Sequence, residues 1–118
     1  MGIFSRISGL HRLVEQFPVE EAPKGKEFFK QTIQIGSVRF RKCTTVIIDA
    51  NGLYLKVAPP LSRCSEVLIP WDEINEVSRT RLYGRQASNL SLGIAGKDHL
   101  IVYNELFKLM EPHLLRRS

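Results

Sequence analysis

The sequence predicts a mainly β, antiparallel domain with an amphipathic helix at each end, and three observations carry that expectation. From Thr32 onward apolar residues recur with period two, and β-branched residues crowd the stretch "TIQIGSVRFRKCTTVIIDANGLYLKVAP". Asn51-Gly52 stands between "TTVIID" and "LYLKV", a dipeptide that tolerates the positive φ of a type I′ hairpin turn. Helical spacing of apolar residues marks the segments near both termini. With 118 residues, 43% of them hydrophobic, the chain can fill one core.

In chain order, Ile3, Ile7, Leu10, Val14 and Phe17 form a stripe that predicts a helix over residues 3–17, ended by Pro18. Gly9 weakens it by about 1 kcal/mol relative to alanine. The stripe is expected to dock on the domain rather than lie on a membrane or pair with a second copy, because only Arg6, His11 and Arg12 dress its polar side. "PVEEAPKGKE" reads as a linker, so the chain divides into a helix and linker over 1–27 and a folded body over 28–118.

Within the body, Leu53, Leu55 and Val57 alternate with Tyr54 and Lys56, giving that strand one buried and one wetter face. "APPLSRCSE" interrupts the sheet, and "EVLIPWDEI" resumes it with Val67, Ile69 and Trp71 on one face and Leu68 and Pro70 on the other. Pro70 lacks an N–H for a ladder and must stand at a strand end, bulge or edge. Trp71 is then an inward anchor packed with Ile69, Ile74 and the last helix, and Asp72-Glu73 cap the corner that follows. Arg79, Arg81, Tyr83 and Arg85 alternate with Thr80, Leu82 and Gly84, which reads as one further strand. "SNLSLGI" and "HLIVY" flank an "AGKD" turn. Leu106, Phe107, Leu109, Met110 and Leu114 then form the face of a helix over 104–115, capped by Asn104 and kinked or stopped at Pro112.

"GLYL" at Gly52–Leu55, followed by "IPWDEI" at Ile69–Ile74, resembles a pairing found in small uncharacterised bacterial proteins with a pleckstrin-homology-like (PH-like) or GRAM-like domain, some with a helix ahead of that core. The likeness covers residues 28 to 115 as a pattern, and only those two motifs are specific. It implies two layers of short antiparallel strands forming a barrel or sandwich closed by the C-terminal helix. Ser62 and Glu66 depart from the bulkier aromatic and the proline expected in such relatives. The resemblance implies no activity, since this fold serves lipid, peptide and purely structural roles.

No catalytic constellation is legible. His11, His99 and His113 lie on three different elements without a partner at a diagnostic spacing, which supports neither a triad nor a metal cluster. "GIAGKD" lacks the Ser/Thr and the glycine spacing of a phosphate-binding loop, and Asp72 and Glu73, as neighbours on a strand, would point to opposite faces. Cys43 and Cys64 read as buried or half-buried thiols. "MGIFSR" misses the hydroxyl residue of a myristoylation signal, and no stretch approaches a membrane span or secretory core, so the expected compartment is the cytosol.

The formal charge of +5 is the bulk signal toward a partner. Arg39 and Arg41 share one strand face, Lys42 follows, and Arg79, Arg81 and Arg85 share another, so two basic stripes are candidates for a single binding face. Against that stands an ordinary solvated surface, because 12 acids are interleaved. The expected function is a non-catalytic interaction module, without cofactor or metal, that binds an anionic membrane surface or a protein partner. The alternative is a small enzyme whose site the sequence does not reveal. Nucleic acid fits less well, as Tyr83 alone interleaves with the arginines. The oligomeric state is open.

Overall fold

The computed structural model describes residues 8–58, 65–93 and 98–115. Helix α1 (Ser8–Gln16) precedes seven strands: β1 (Glu27–Ile35), β2 (Val38–Asp49), β3 (Gly52–Val57), β4 (Ser65–Pro70), β5 (Ile74–Leu82), β6 (Arg85–Leu92) and β7 (Asp98–Tyr103). Helix α2 (Asn104–Leu115) follows, with the bounds its apolar spacing predicts. The strands form one curled antiparallel sheet in the order β4-β3-β2-β1-β7-β6-β5. Period-two patterning puts residues such as Ile33, Leu55, Ile69, Leu90 and Val102 on its inner face, where all seven strands share a core with Leu106 and Met110 of α2. Leu109, predicted on the apolar face of α2, is instead exposed, and Pro112 is accommodated inside the helix.

Helix α1 docks as its stripe suggests. Leu10, Leu13 and Phe17 are buried in the same core. Arg12 pairs with the buried Asp98 at 2.5 Å, and the Gln16 amide donates to the other oxygen of that carboxylate at 3.0 Å. The Leu68 N–H donates to the Phe17 carbonyl, which uses part of the otherwise open edge of β4. Residues 3–7 of the predicted helix, Cys64, most of "APPLSRCSE" and Ala95–Lys97 of the "AGKD" turn fall outside the described residues.

The β2–β3 hairpin is present, but its turn differs from the expected one. Ala50 and Asn51 form the two-residue loop, and Gly52 already pairs with Asp49. Asn51 keeps a negative φ because its N–H donates to the Asp49 carboxylate at 2.8 Å, closing the turn locally. Gly52 is needed for close approach: a Cβ there would stand 2.4 Å from the Ile69 carbonyl oxygen on β4. The type I′ geometry occurs instead at Tyr83-Gly84, with φ of 51° and 77°, between paired Leu82 and Arg85. Tyr54 is also buried rather than wet, and its hydroxyl meets the Glu66 carboxylate at 2.5 Å.

Pro70 ends β4, which is itself an edge strand, so its missing N–H costs the ladder nothing. The next three residues form a 3₁₀ turn, Trp71–Glu73. Its cap position falls on Pro70, which offers no side-chain bond, so Asp72 and Glu73 occupy the turn rather than cap it. Trp71 is buried. Its indole N–H donates to the Asp49 carbonyl at 2.9 Å, and its ring stacks on His113 of α2 at 4.8 Å. The Asp49 carboxylate accepts the N–H groups of Asn51 and, at 2.5 Å, of Lys24, pinning the linker to the end of β2.

Truncating Trp71 to alanine removes a large buried ring and its hydrogen bond to the Asp49 carbonyl, and should cost about 3–5 kcal/mol in urea unfolding. The N–H bonds from Asn51 and then Lys24 hold the Asp49 carboxyl below its ordinary value. Its contribution is therefore complete above the unfolded value of about 3.9 and is lost as pH falls through the lower folded one. Urea curves at about pH 7 and about pH 3 should accordingly show a smaller acid loss for Asp49→Asn than for the parent chain.

Candidate functional site: a basic face and pocket

The five arginines divide among three strands, β2, β5 and β6. Phe40 is buried on the inner side of β2, so Arg39 and Arg41 stand on the outer side. There they meet Tyr83 at the tip of the β5–β6 hairpin, with guanidinium carbons 5.0 and 5.4 Å from the ring centroid. Arg39 also donates to the Gln34 side chain at 3.2 Å. Arg79 and Arg81 lie on β5, exposed, and alternate with the half-buried Thr80 and buried Leu82. Among the described residues, none of these four arginines has a carboxylate within 4.0 Å.

Arg85 departs from the expected stripe. The Tyr83-Gly84 turn reverses the chain, so Arg85 opens β6 instead of continuing β5. Its guanidinium lies 4.2 Å from the Tyr103 ring centroid and pairs with Glu105 in the first turn of α2. The alternating pattern runs through the turn without a break, because two positive-φ residues preserve the same count of positions.

Beside Arg85 opens a cavity of about 380 Å³ between β1, β2, the end of β7 and α2. Lys30 and Lys42 line it with Arg85, and Phe28, Leu106 and Leu109 supply apolar wall. Both lysines adopt left-handed backbone conformations, with φ of 51° and 53°. They occur where the β1–β2 register slips, around Gln31↔Thr44. Bulges of this kind re-aim side chains. The Lys42 N–H, freed from the ladder, donates to the Thr32 hydroxyl at 3.0 Å. Sequence reasoning missed Lys30 and placed Lys42 only as the residue following Arg39 and Arg41, since lysine is a poor signal for positive φ and bulge positions depend on the partner strand.

Other candidates stay apart. His99 is exposed and faces Asn89 at 3.3 Å, while His113 stacks on Trp71. Burial pushes the Cys43 thiol up, away from a reactive thiolate. Among the described residues, no group of three His, Cys, Asp or Glu is placed to hold a metal ion. A cavity of about 510 Å³ under the linker is lined by Glu20, Glu21 and Asp49 and, among the described residues, by no cation. No described helix is long and apolar enough to cross a membrane.

Fold and site together define a mainly β domain with a curled antiparallel sheet, a C-terminal helix and a basic face beside a partly apolar pocket. No protein-family model matches the chain, and no curated protein matches it.

Left-handed backbone costs a non-glycine residue about 1–2 kcal/mol, against about 0.5–1 kcal/mol for the extra unfolded-state freedom of glycine. Lys30→Gly and Lys42→Gly should therefore each leave stability unchanged or raise it by up to about 1 kcal/mol in urea unfolding.

Proposed function

We propose that the chain is a non-catalytic interaction module that binds an anionic membrane surface through Arg39, Arg41, Arg79 and Arg81. The observation that carries this reading is the stacking of Arg39 and Arg41 on Tyr83, which holds two guanidinium groups outward with no described carboxylate in ion-pair range. Unpaired, they retain a field to offer a negative surface, and the net charge of +5 adds to it. A curled sheet of seven antiparallel strands followed by a C-terminal helix supports the PH-like reading. Cytoplasmic location with peripheral membrane contact follows from the same proposal.

A protein partner is the second reading. It is favoured by β5, the end strand of the sheet, which exposes Val77 beside a groove of about 290 Å³ against Phe107 and Lys108 of α2. A peptide could extend the sheet there.

Flotation with phosphatidylcholine vesicles, with and without phosphatidylserine, separates the two. The chain should float with the anionic vesicles, and binding should fall with added salt as screening shortens to about 10 Å at 0.1 M. The double variant Arg39→Glu/Arg41→Glu should lose binding while staying folded, its melting temperature falling only by the few degrees that losing two exposed Tyr83 contacts costs. Equal behaviour on both vesicle types would end the membrane reading and leave the β5 edge as the surface to test.

A further inference from the structure

We propose that the pocket between Lys30, Lys42 and Arg85 takes a phosphomonoester carried on an apolar chain. The proposal deepens the reading of this protein as a binder of anions and rests on it, but it names side chains other than Arg39 and Arg41 and a definite ligand chemistry.

Charge sets the ligand's head group. Among the described residues, the pocket's lining includes three cations and one carboxylate, Glu105, which is engaged with Arg85. The surplus of two positive charges matches a phosphomonoester, which carries about −1.5 to −2 at pH 7, better than a single carboxylate. Lysine ammonium groups and an arginine fork are also the side chains that recognise phosphate oxygens.

Apolar surface sets the ligand's tail. Phe28, Leu106 and Leu109 line the same cavity, and Leu109 is largely exposed although it belongs to the apolar residues of α2. A volume of about 380 Å³ suits a head group with a short chain.

Strain indicates that the two lysines have a purpose there. Both hold φ near 50° within strands, where glycine would be cheaper, and both border one cavity. Backbone strain of this kind persists where the surrounding structure enforces it and is concentrated at ligand sites. Two strained lysines side by side, from bulges in adjacent strands, put their ammonium groups where regular pairing would have placed neither.

A soluble metabolite and a lipid head group could present the same chemistry, and calorimetry together with vesicles tells them apart. Hexyl phosphate should bind, inorganic phosphate more weakly, and hexanol not detectably. Lys30→Gly and Lys42→Gly, which suit the backbone, should each weaken hexyl phosphate binding roughly tenfold to a hundredfold without lowering the melting temperature. Glu105→Gln should tighten it, because the resident carboxylate then no longer competes for Arg85. A folded chain that ignores hexyl phosphate, glycine variants that bind as the parent does, or weaker binding by Glu105→Gln would each overturn the proposal. Vesicles containing phosphatidic acid, whose head is a phosphomonoester, should recruit the chain in a Lys30-dependent way if the source is lipid; hexyl phosphate binding without such recruitment points to a soluble ligand. Recruitment by phosphatidylserine vesicles with no hexyl phosphate binding would leave the membrane reading standing and remove this one. The reverse result would do the opposite.

Discussion

The buried hydrogen bond from the Trp71 indole to the Asp49 carbonyl joins the corner after β4 to the end of β2, two strands that do not pair with each other, and, through the stacked His113, to the last turn of α2. A curled sheet whose end strands, β4 and β5, do not pair with each other among the described residues gains from such a tie. The Asp49 carboxylate extends the tie to the linker by accepting the Lys24 N–H. One residue at the end of β2 therefore fixes the turn, the corner and the return path from α1. The polar groups involved are satisfied within the protein, which is what permits them to be buried.

The opposite end of α2 meets the basic pocket. Asn104 of the first turn bonds the Ser88 hydroxyl at 2.7 Å, and Glu105 engages Arg85, so the helix is fixed against β6 at the wall of the cavity. On the other wall, the β1–β2 ladder runs regularly on both sides of the slipped register, from Ile33 to Ile35 and from Glu27 to Phe28. Regular pairing on either side allows the two left-handed lysines to persist, because relaxing them would shift the whole inward set of β1 off the core. The stability of the sheet thus supports a local arrangement that is unfavourable by itself.

Electrostatics divides the surface in a way that net charge does not reveal. Asp98 is consumed by Arg12 and Gln16 in docking α1, and Asp49 by backbone N–H groups, so two of the acids that dilute the basic composition are turned inward. Arg39 and Arg41 spend their flat faces on Tyr83 and keep their charge outward. The hairpin tip that carries Tyr83 is held over β2 by these contacts, which connects the outer basic face to the rim of the pocket.

Much of the fold was legible because it depends on local rules. Period-two alternation marked the strands from Thr32 to Val57, helical spacing set the bounds of α2, and the order of Pro70 and Trp71 located a strand end and an inward anchor. Docking of α1 followed from a stripe with few cations opposite it. The β2–β3 turn was misplaced by one residue because a side-chain bond from Asp49 competed with the glycine preference, and Arg85 was assigned to the wrong strand because Tyr83 adopts a left-handed conformation that its identity does not announce. Sequence by itself determined most of the inward set, with Tyr54 and Leu109 as exceptions, since pleat and helix periods are properties of the backbone. Only the tertiary structure decided which cations meet: Lys30 and Lys42 share a pocket through paired bulges, and Arg85 joins them through a hairpin and a helix, because register between strands is set by the packing of the whole core.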